Sequence, residues 1–275
     1  MIGWPLWVLL PEIFANTSAT VRPPERCMRY LAVLVVLASG VASGAGAGSN
    51  AGPDALLRCR HFTPAAISKP TPQADREAIE RFELINHEAK IRSHMFVFLG
   101  DSLTQKWDRR LWERYFAPRG ALNAGVNGDR TEHVLWRIEH GNIDRQQPTI
   151  AVLLIGTNDI GRNRSADIIA EGVRDILTVL RSRLSTTRIL LLGVLPRSEW
   201  PSSDRRRQVT EVNRLIGTCA DREHVFYADV GNVLLDSAGR LIPEVSPDGV
   251  HLSEHGYDLL TARLEVEFAK LLPKQ

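Results

Sequence analysis

A run of apolar residues at 95–99 leads directly into Gly100, Asp101 and Ser102. An apolar run this short, closed by glycine and a small polar residue, predicts a strand buried on both faces, as in a parallel sheet covered by helices. The carboxyl ends of such strands border the crevice in which open α/β sheets bind ligands. Ser102 is therefore expected either in that crevice or, as is commoner for a serine after a strand, as a helix N-cap.

Short apolar runs and amphipathic stretches alternate through the rest of the chain. Helical spacing of apolar residues predicts helices at 73–91, 107–116, 131–139, 168–184, 203–220 and from 256 to about 272. Apolar runs predict further strands from about 121, at 149–155, at 188–194 and at 225–227. This alternation predicts an α/β domain with a mainly parallel sheet and helices on both faces.

The N-terminal part of the chain indicates a signal for export rather than part of the folded domain. Residues 28–47 have a basic start, an apolar centre and small residues at the end, which is the layout of a secretory signal peptide. We therefore divide the chain into an upstream extension or misassigned start at 1–27, a signal peptide at 28–47, a linker at 48–72 and a catalytic domain at 73–275. A secreted or periplasmic protein is expected, and an uncleaved membrane anchor is the alternative.

Composition excludes several partners. The chain has 275 residues, 24% of them charged, and a net charge of +2. Its one tight basic run, at 205–207, begins a predicted helix and lacks interleaved aromatic residues, so no nucleic-acid partner is expected.

The three cysteines form no C-x-x-C pair and no metal-binding cluster with histidine. Cys59 and Cys219 are candidates for a disulfide in an exported protein, whereas Cys219 is otherwise a small core residue.

Polar residues at the predicted strand ends and in one C-terminal turn form a set that fits acyl transfer. That chemistry needs a nucleophile, a base, a group that orients the base, and donors for the developing oxyanion. Ser102 is the candidate nucleophile, His251 the base and Asp248 its orienting carboxylate. The candidate oxyanion donors are the backbone N–H groups of Ser102 and Gly128 and the side-chain amide of Asn158. The chain lacks the G-x-S-x-G turn of the α/β-hydrolases.

Other polar residues near these blocks have structural interpretations. Asp101, Asp129 and Asp159 are expected to organise their loops by accepting backbone N–H bonds, and Thr131 is expected to cap a helix. The glycine-rich loop at 125–128 has a phosphate-binding alternative, but it lacks both the P-loop Gly-Lys-Ser/Thr and the G-x-G-x-x-G pattern. Arg162 and Arg164, after the Asn158 block, are expected to be exposed arginines, and contact with an anionic substrate is the alternative.

The four blocks Gly100-Asp101-Ser102-Leu103, Gly125 to Asp129, Gly156-Thr157-Asn158-Asp159 and Asp248-Gly249-Val250-His251 resemble the SGNH (GDSL-type) hydrolases. Residues 122–129, 133–137 and 194–197 resemble the catalytic subunits of intracellular platelet-activating-factor acetylhydrolase. The resemblance implies a three-layer α/β/α sandwich of the flavodoxin-like SGNH type, with no metal and no cofactor. It further implies an open site suited to short acyl groups, with Gly128 rather than Gly125 as the oxyanion glycine. Only the resemblance suggests a homodimer.

These observations predict a serine esterase that cleaves a short-chain ester, in particular an acetyl ester, through an acyl-enzyme. The expected partner is a small-molecule or glycan ester. A lysophospholipase or thioesterase of the same family is one alternative. A non-catalytic carbohydrate-binding module on this fold is another, and the intact Ser102, Asp248 and His251 argue against it.

Overall fold

The computed structural model describes residues 69–272. The predicted extension, signal peptide and most of the linker lie outside the described residues. The described chain contains helices and strands in this order: α1 Arg76–Ile91, β1 Phe96–Gly100, α2 Ser102–Gln105, α3 Arg109–Leu111, β2 Ala121–Gly125, α4 Thr131–Glu139, β3 Ile150–Leu154, α5 Thr157–Gly161, α6 Ala166–Arg183, β4 Arg188–Leu192, α7 Asp204–Ile216, β5 Val225–Ala228 and α8 Glu254–Leu271.

The five strands form one parallel sheet in the order β2-β1-β3-β4-β5. The strand order reverses between β1 and β3, since the chain first moves outward to β2 and then returns to the other side of β1. Loops leave such a reversal in opposite directions and open a crevice at the carboxyl ends of the two strands. Ser102 follows β1 and Asn158 follows β3, so both candidate residues border this crevice.

Alternate residues of each strand enter two different cores. On β1, Val97 and Leu99 face an aliphatic core formed with α1, α4, α6 and α7. Phe96 and Phe98 face the opposite core, which includes α8 and the segment 107–116. All five residues of β1 are buried, which explains why its sequence is continuously apolar. The predicted three-layer α/β/α sandwich with a parallel sheet is confirmed.

The second core is rich in aromatic rings. Phe98 lies in contact with Trp107, Trp112, Phe116 and Phe268, with ring centroids between 4.9 and 6.1 Å apart. The single helix predicted at 107–116 is wrong in detail, because α3 gives way to a π-helical turn at Trp112–Phe116 and then to a 3-10 turn. The aromatic residues of this segment pack beneath β1 and thereby support the strand that carries Ser102.

Most predicted boundaries agree with the structure to within three residues. The helix predicted at 131–139 has those bounds, whereas the helix predicted at 73–91 begins only at Arg76, because the side chain of Asp75 accepts the N–H of Ala78 and caps it there. Within residues 69–272, no helix combines the length and the apolar composition that crossing a membrane requires.

Candidate active site

Ser102 is the first residue of α2 and directly follows the turn out of β1. Its side chain is buried, with 3% of the residue exposed. The carboxylate of Asp101 accepts the N–H of Leu103 at 2.9 Å and so caps the helix. Asp101 rather than Ser102 is therefore the N-cap, which leaves the hydroxyl of Ser102 without that structural role. As the first helical residue, Ser102 has a backbone N–H that the helix itself does not bind.

His251 and Asp248 lie together on the turn before α8. One oxygen of Asp248 accepts the backbone N–H groups of Val250 and His251 at 2.9 and 2.7 Å. Gly249 has a φ of 72°, a left-handed conformation that side chains rarely adopt, and this tight turn brings residues three apart face to face. Ser246 donates its hydroxyl to the carbonyl of His251 at 2.8 Å. The backbone of the histidine is thus fixed from both sides.

The three predicted catalytic side chains, those of Ser102, His251 and Asp248, form one hydrogen-bonded chain, which we call the relay. Ser102 Oγ lies 3.0 Å from His251 Nε2, and His251 Nδ1 lies 2.7 Å from the second oxygen of Asp248. The side chains of His251 and Asp248 are 40% and 55% exposed, so the relay opens to solvent. Partial desolvation raises the pKa of Asp248, but hydrogen bonds from the imidazole and from two backbone N–H groups outweigh it and lower the pKa. The carboxylate is accordingly ionised at neutral pH.

Gly128 lies at the third position of a tight turn at 126–129. The N–H of Asp129 donates to the carbonyl of Val126 at 3.2 Å, which closes the turn. Gly128 has a φ of 78°, the value of a type II turn at this position, where glycine is required. The N–H of Asn127 donates to the side chain of Gln105 at 2.5 Å. Because Gln105 belongs to the same helix as Ser102, this bond ties the glycine turn to the candidate nucleophile.

Asn158 lies in the first turn of α5, directly after β3. Its amide Nδ2 donates to the backbone carbonyl of Asp129 at 2.9 Å. Asp129, which directly follows Gly128, therefore fixes the position of the Asn158 amide. The structure thus links two of the three predicted oxyanion donors through one turn.

Three carboxylates behind the predicted site, those of Asp101, Asp129 and Asp159, are fully buried. Burial raises the pKa of Asp101 to about 7; the Leu103 N–H opposes this, and the charges of Asp129 and Asp159 add to it. The second oxygen of Asp101 has no hydrogen-bond partner among the described residues. Burial likewise raises the pKa of Asp159, to about 6. These pKa values reflect low-dielectric surroundings rather than contact with solvent.

Asp159 also explains two wrong predictions. Its carboxylate accepts both the backbone N–H and the hydroxyl of Thr131, at 3.1 and 3.0 Å, and so caps α4 from another loop. Thr131 is therefore the first residue of that helix and not its N-cap. Arg164, predicted to be exposed, donates to Asp159 and to both oxygens of the buried Glu132. Its guanidinium compensates two carboxylates that the sequence does not place together.

Asp129 accepts hydrogen bonds from two side chains to which the sequence assigned no role. Arg137, 3% exposed, donates to Asp129 at 2.6 Å and to the carbonyl of Gly100 at 3.2 Å. Gln73 donates to Asp129 at 2.5 Å. The prediction that Asp129 accepts backbone N–H bonds is therefore not confirmed, whereas Asp101 and Asp159 do so. In the sequence, Arg137 falls on the same helix face as the apolar Val134 and Ile138. A charged residue on that face is the signal that could have identified it.

Arg197 is a further residue near the relay that the sequence analysis left without a role. Its guanidinium donates to the carbonyl and the hydroxyl of Thr157 at 2.9 and 3.0 Å. Desolvation and the neighbouring Arg205 lower the pKa of Arg197, while the charges of Asp248 and Asp101 raise it. Arg197 therefore fixes the start of the helix that carries Asn158 and offsets negative charge behind the site.

No three His, Cys, Asp or Glu side chains within residues 69–272 are grouped to hold a metal ion. The absence of a metal and of a cofactor remains a prediction from the resemblance. The phosphate alternative for the loop at 125–128 gains no support from its geometry, since the N–H groups of Asn127 and Asp129 are already bound within the protein.

Comparison with known proteins places this geometry in a family. The model of the GDSL-like Lipase/Acylhydrolase family matches residues 98–259. Platelet-activating factor acetylhydrolase IB subunit alpha1 from Homo sapiens is 34% identical over 212 residues, covering 74% of this chain and 90% of the relative. The IB subunit beta homolog from Drosophila melanogaster is 37% identical over 152 residues, covering 54% and 66%.

Solved structures agree in fold. A GDSL-like lipase from Bacteroides thetaiotaomicron superposes with a TM-score of 0.58 at 22% identity, covering 70% of this chain and 98% of that chain. An acetylxylan esterase from Geobacillus stearothermophilus superposes with a TM-score of 0.54 at 17% identity, covering 66% and 96%. The family match spans all four sequence blocks, and the human relative is 34% identical over 90% of its own length; the chain is a hydrolase that belongs to the GDSL-like lipase/acylhydrolase family.

Proposed function

We propose that this hydrolase is a serine esterase that cleaves short acyl esters, in particular acetyl esters, through an acyl-enzyme. The observation that carries the proposal is the hydrogen-bonded chain from Ser102 through His251 to Asp248, with distances of 3.0 and 2.7 Å. A serine, an imidazole and a carboxylate in this order are the arrangement that activates a hydroxyl nucleophile.

In the proposed first step, Ser102 Oγ attacks the acyl carbon of the ester while His251 Nε2 takes the hydroxyl proton. Asp248 accepts the Nδ1 proton in a hydrogen bond, holds the imidazole in the tautomer that leaves Nε2 free, and stabilises the imidazolium. The N–H groups of Ser102 and Gly128 and the amide of Asn158 donate to the oxyanion. Collapse of this intermediate expels the alcohol, which takes the proton from Nε2.

In the second step, water attacks the acyl-serine and gives a proton to His251 Nε2. The second tetrahedral intermediate then releases the carboxylic acid as Ser102 recovers its proton. Loss of one oxyanion donor typically costs about 3 kcal/mol of transition-state stabilisation, so the three donors account for a large share of the rate.

The preference for acetyl esters has separate support. The curated relatives of this chain are named platelet-activating factor acetylhydrolase subunits. The exposed fractions of His251 and Asp248 fit an open site that encloses little of the acyl chain. A lysophospholipase or thioesterase activity is the competing proposal, and it requires turnover of long acyl chains.

One surface feature favours a glycan as the alcohol part of the substrate. Trp200 is 55% exposed, and the guanidinium of Arg240 lies 5.4 Å from the centroid of its ring. Two residues earlier, the N–H of Ser198 donates to the carbonyl of Gly249 at 2.8 Å, so the tryptophan segment is fixed to the loop that carries His251. A large rigid ring beside a catalytic loop offers an apolar face for a sugar ring.

We also propose that the protein is exported, with the signal peptide at 28–47. Cys219 is disulfide-bonded, which is typical of proteins in oxidising compartments. Cys59 lies outside the described residues, and its pairing with Cys219 remains a prediction. N-terminal sequencing of protein recovered from the periplasm or medium tests the proposal, since a mature chain that retains Trp4 and Trp7 contradicts it.

The deciding experiment is hydrolysis of p-nitrophenyl esters from acetyl to dodecanoyl by the wild type and by Ser102→Ala. Turnover confined to the short chains and lost in the variant supports the acetyl-ester proposal, whereas preference for dodecanoyl favours the lysophospholipase or thioesterase alternative. Trp200→Ala should raise KM for acetylated xylo-oligosaccharides and leave p-nitrophenyl acetate hydrolysis unchanged. A folded wild type that neither hydrolyses the esters nor is labelled by a fluorophosphonate favours the binding-module alternative.

A further inference from the structure

Gln73 lies in the segment before α1, which carries none of the four family blocks. Its side-chain amide nonetheless reaches across to the glycine turn. Nε2 donates to the carbonyl of Asn127 at 3.0 Å and to the carboxylate of Asp129 at 2.5 Å. These two acceptors lie on either side of Gly128, the candidate oxyanion glycine.

The bond to Asn127 fixes the direction of the Gly128 N–H. The carbonyl of Asn127 and the N–H of Gly128 belong to one peptide unit, which is planar and trans. The two groups therefore point in opposite directions, and a donor that holds the carbonyl on one side turns the N–H to the other side. Gln73 thus acts on the same peptide that is proposed to bind the oxyanion.

This peptide is the part of a tight turn that flips most easily. Type I and type II turns differ in the orientation of the central peptide, with a φ of about −90° or about +80° at the third residue. Glycine accepts both values, so Gly128 alone does not choose between them. Its observed φ of 78° is the type II value, in which the carbonyl of Asn127 meets Gln73.

The bonds on either side of this peptide complete the restraint. The N–H of Asn127 is held by Gln105, on the helix of Ser102, at 2.5 Å. The carbonyl of Asp129 is held by Asn158 at 2.9 Å, and its carboxylate by Arg137 at 2.6 Å. Gln73 is the group that binds the carbonyl of the central peptide itself.

We infer that Gln73 is a positioning residue of the esterase, which keeps the Asn127–Gly128 peptide in the orientation that presents the Gly128 N–H to the oxyanion. The inference rests on the proposed function, because it assumes that Gly128 donates to the oxyanion. It extends the functional site to the segment before α1.

Three variants test it. Gln73→Met keeps the length of the side chain and removes both donor bonds. Gln73→Lys supplies donors again, which suffices because Gln73 uses only its Nε2 towards the turn. Gln147→Met makes the same substitution at an exposed glutamine before β3 and serves as the matched control.

With p-nitrophenyl acetate, Gln73→Met should lower kcat about 10- to 100-fold, approaching the loss of one oxyanion donor, while KM changes less than threefold. Gln73→Lys should recover most of kcat, and Gln147→Met should equal the wild type. A crystal structure of Gln73→Met should show the Asn127–Gly128 peptide flipped or in two orientations. A single unchanged orientation, or a wild-type kcat in this variant, overturns the inference.

The two proposals fail in different ways. If Ser102→Ala hydrolyses p-nitrophenyl acetate as fast as the wild type, the serine esterase proposal fails. If Ser102→Ala is inactive and Gln73→Met is fully active, only the role of Gln73 fails. The crystal structure reports the peptide orientation without any activity, so it tests the positioning role in both cases.

Discussion

Asp248 and Asp101 each lie within three residues of a candidate catalytic side chain, but their surroundings are opposite. The side chain of Asp248 is 55% exposed and its pKa is lowered, because hydrogen bonds to the ionised form outweigh partial desolvation. Asp101 is fully buried, and desolvation raises its pKa to about 7. The exposed carboxylate is hydrogen-bonded to the imidazole, whereas the buried one caps the helix that begins with Ser102.

The exposed carboxylate belongs to the candidate catalytic groups, whereas the buried carboxylates belong to the structure that supports them. His251 and Asp248 lie on a solvated loop, where an ionised carboxylate costs little free energy and the imidazole is open to solvent. The buried carboxylates of Asp101, Asp129 and Asp159 organise the strand-end loops beneath it. Changes in the loop should therefore affect rate without affecting stability, and changes beneath it should affect stability first.

The largest effect is expected from Asp248→Asn. Loss of the carboxylate leaves the imidazole in the wrong tautomer, and we expect kcat/KM for p-nitrophenyl acetate to fall by about 10⁴-fold. The free energy of unfolding should change by no more than about 1 kcal/mol, because the amide oxygen of asparagine can still accept the N–H groups of Val250 and His251. Steady-state kinetics and urea unfolding of the same preparation measure both. A rate close to that of the wild type would mean that Ser102 and His251 act as a dyad.

Asp129→Ala should have the next largest effect, on stability. The substitution leaves Arg137 buried without the carboxylate that it contacts at 2.6 Å, and breaking a buried pair in this way costs about 3–5 kcal/mol. Urea unfolding measures the loss. Asp144→Ala, which removes an exposed partner 3.3 Å from Arg183, is the control and should cost less than about 1 kcal/mol. Equal costs for the two variants would contradict the distinction between the buried and the exposed pair.

The next effect, on the pH dependence of stability, is expected from the titration of Asp101. Its pKa is about 7 in the folded protein and 3.8 without the perturbation, so between about pH 4 and pH 7 the folded state binds more protons than the unfolded state. The contribution of Asp101 to stability is therefore present below about pH 4 and is lost as the pH rises towards 7. Over this range the titration of Asp101 changes the free energy of unfolding by at most about 1.4 kcal/mol per pH unit.

Asp101→Asn removes this titration, so the stability of the wild type relative to the variant should decline from pH 4 to pH 7. Urea unfolding at half-unit pH steps tests it. Comparison with the variant cancels the similar contribution of Asp159. Parallel curves for the two proteins would show that Asp101 does not titrate in this range.

The smallest effect is expected from Glu80→Gln on α1. Glu80 pairs with Arg76 at 2.8 Å, but the two side chains are 57% and 90% exposed. Such exposed pairs contribute about 0.3–0.5 kcal/mol to the free energy of unfolding. Neither residue belongs to the candidate active site. Unfolding and p-nitrophenyl acetate kinetics should both match the wild type within that limit. A clear change in rate would show that α1 itself, and not only the segment before it, influences the site.

The sequence indicated all three side chains of the relay but few of the residues that support it. Ser102, Asp248 and His251 carry their own signals, because a serine after a buried strand and an aspartate three residues before a histidine are local patterns. The bonds of Gln73, Arg137 and Arg164 are not local. Gln73 and Asp129 lie 56 residues apart, and Arg164 and Glu132 lie 32 apart.

The sequence alone determined the parallel α/β architecture, because buried strands and amphipathic helices follow from the period of apolar residues. It also indicated the candidate catalytic groups, which lie next to local turns. Only the tertiary structure decided which strand lies at the reversal of the sheet, which carboxylates are desolvated and which side chains compensate them. Those outcomes depend on contacts between distant segments, and the free energy of a buried charge is set by the neighbours that folding brings to it.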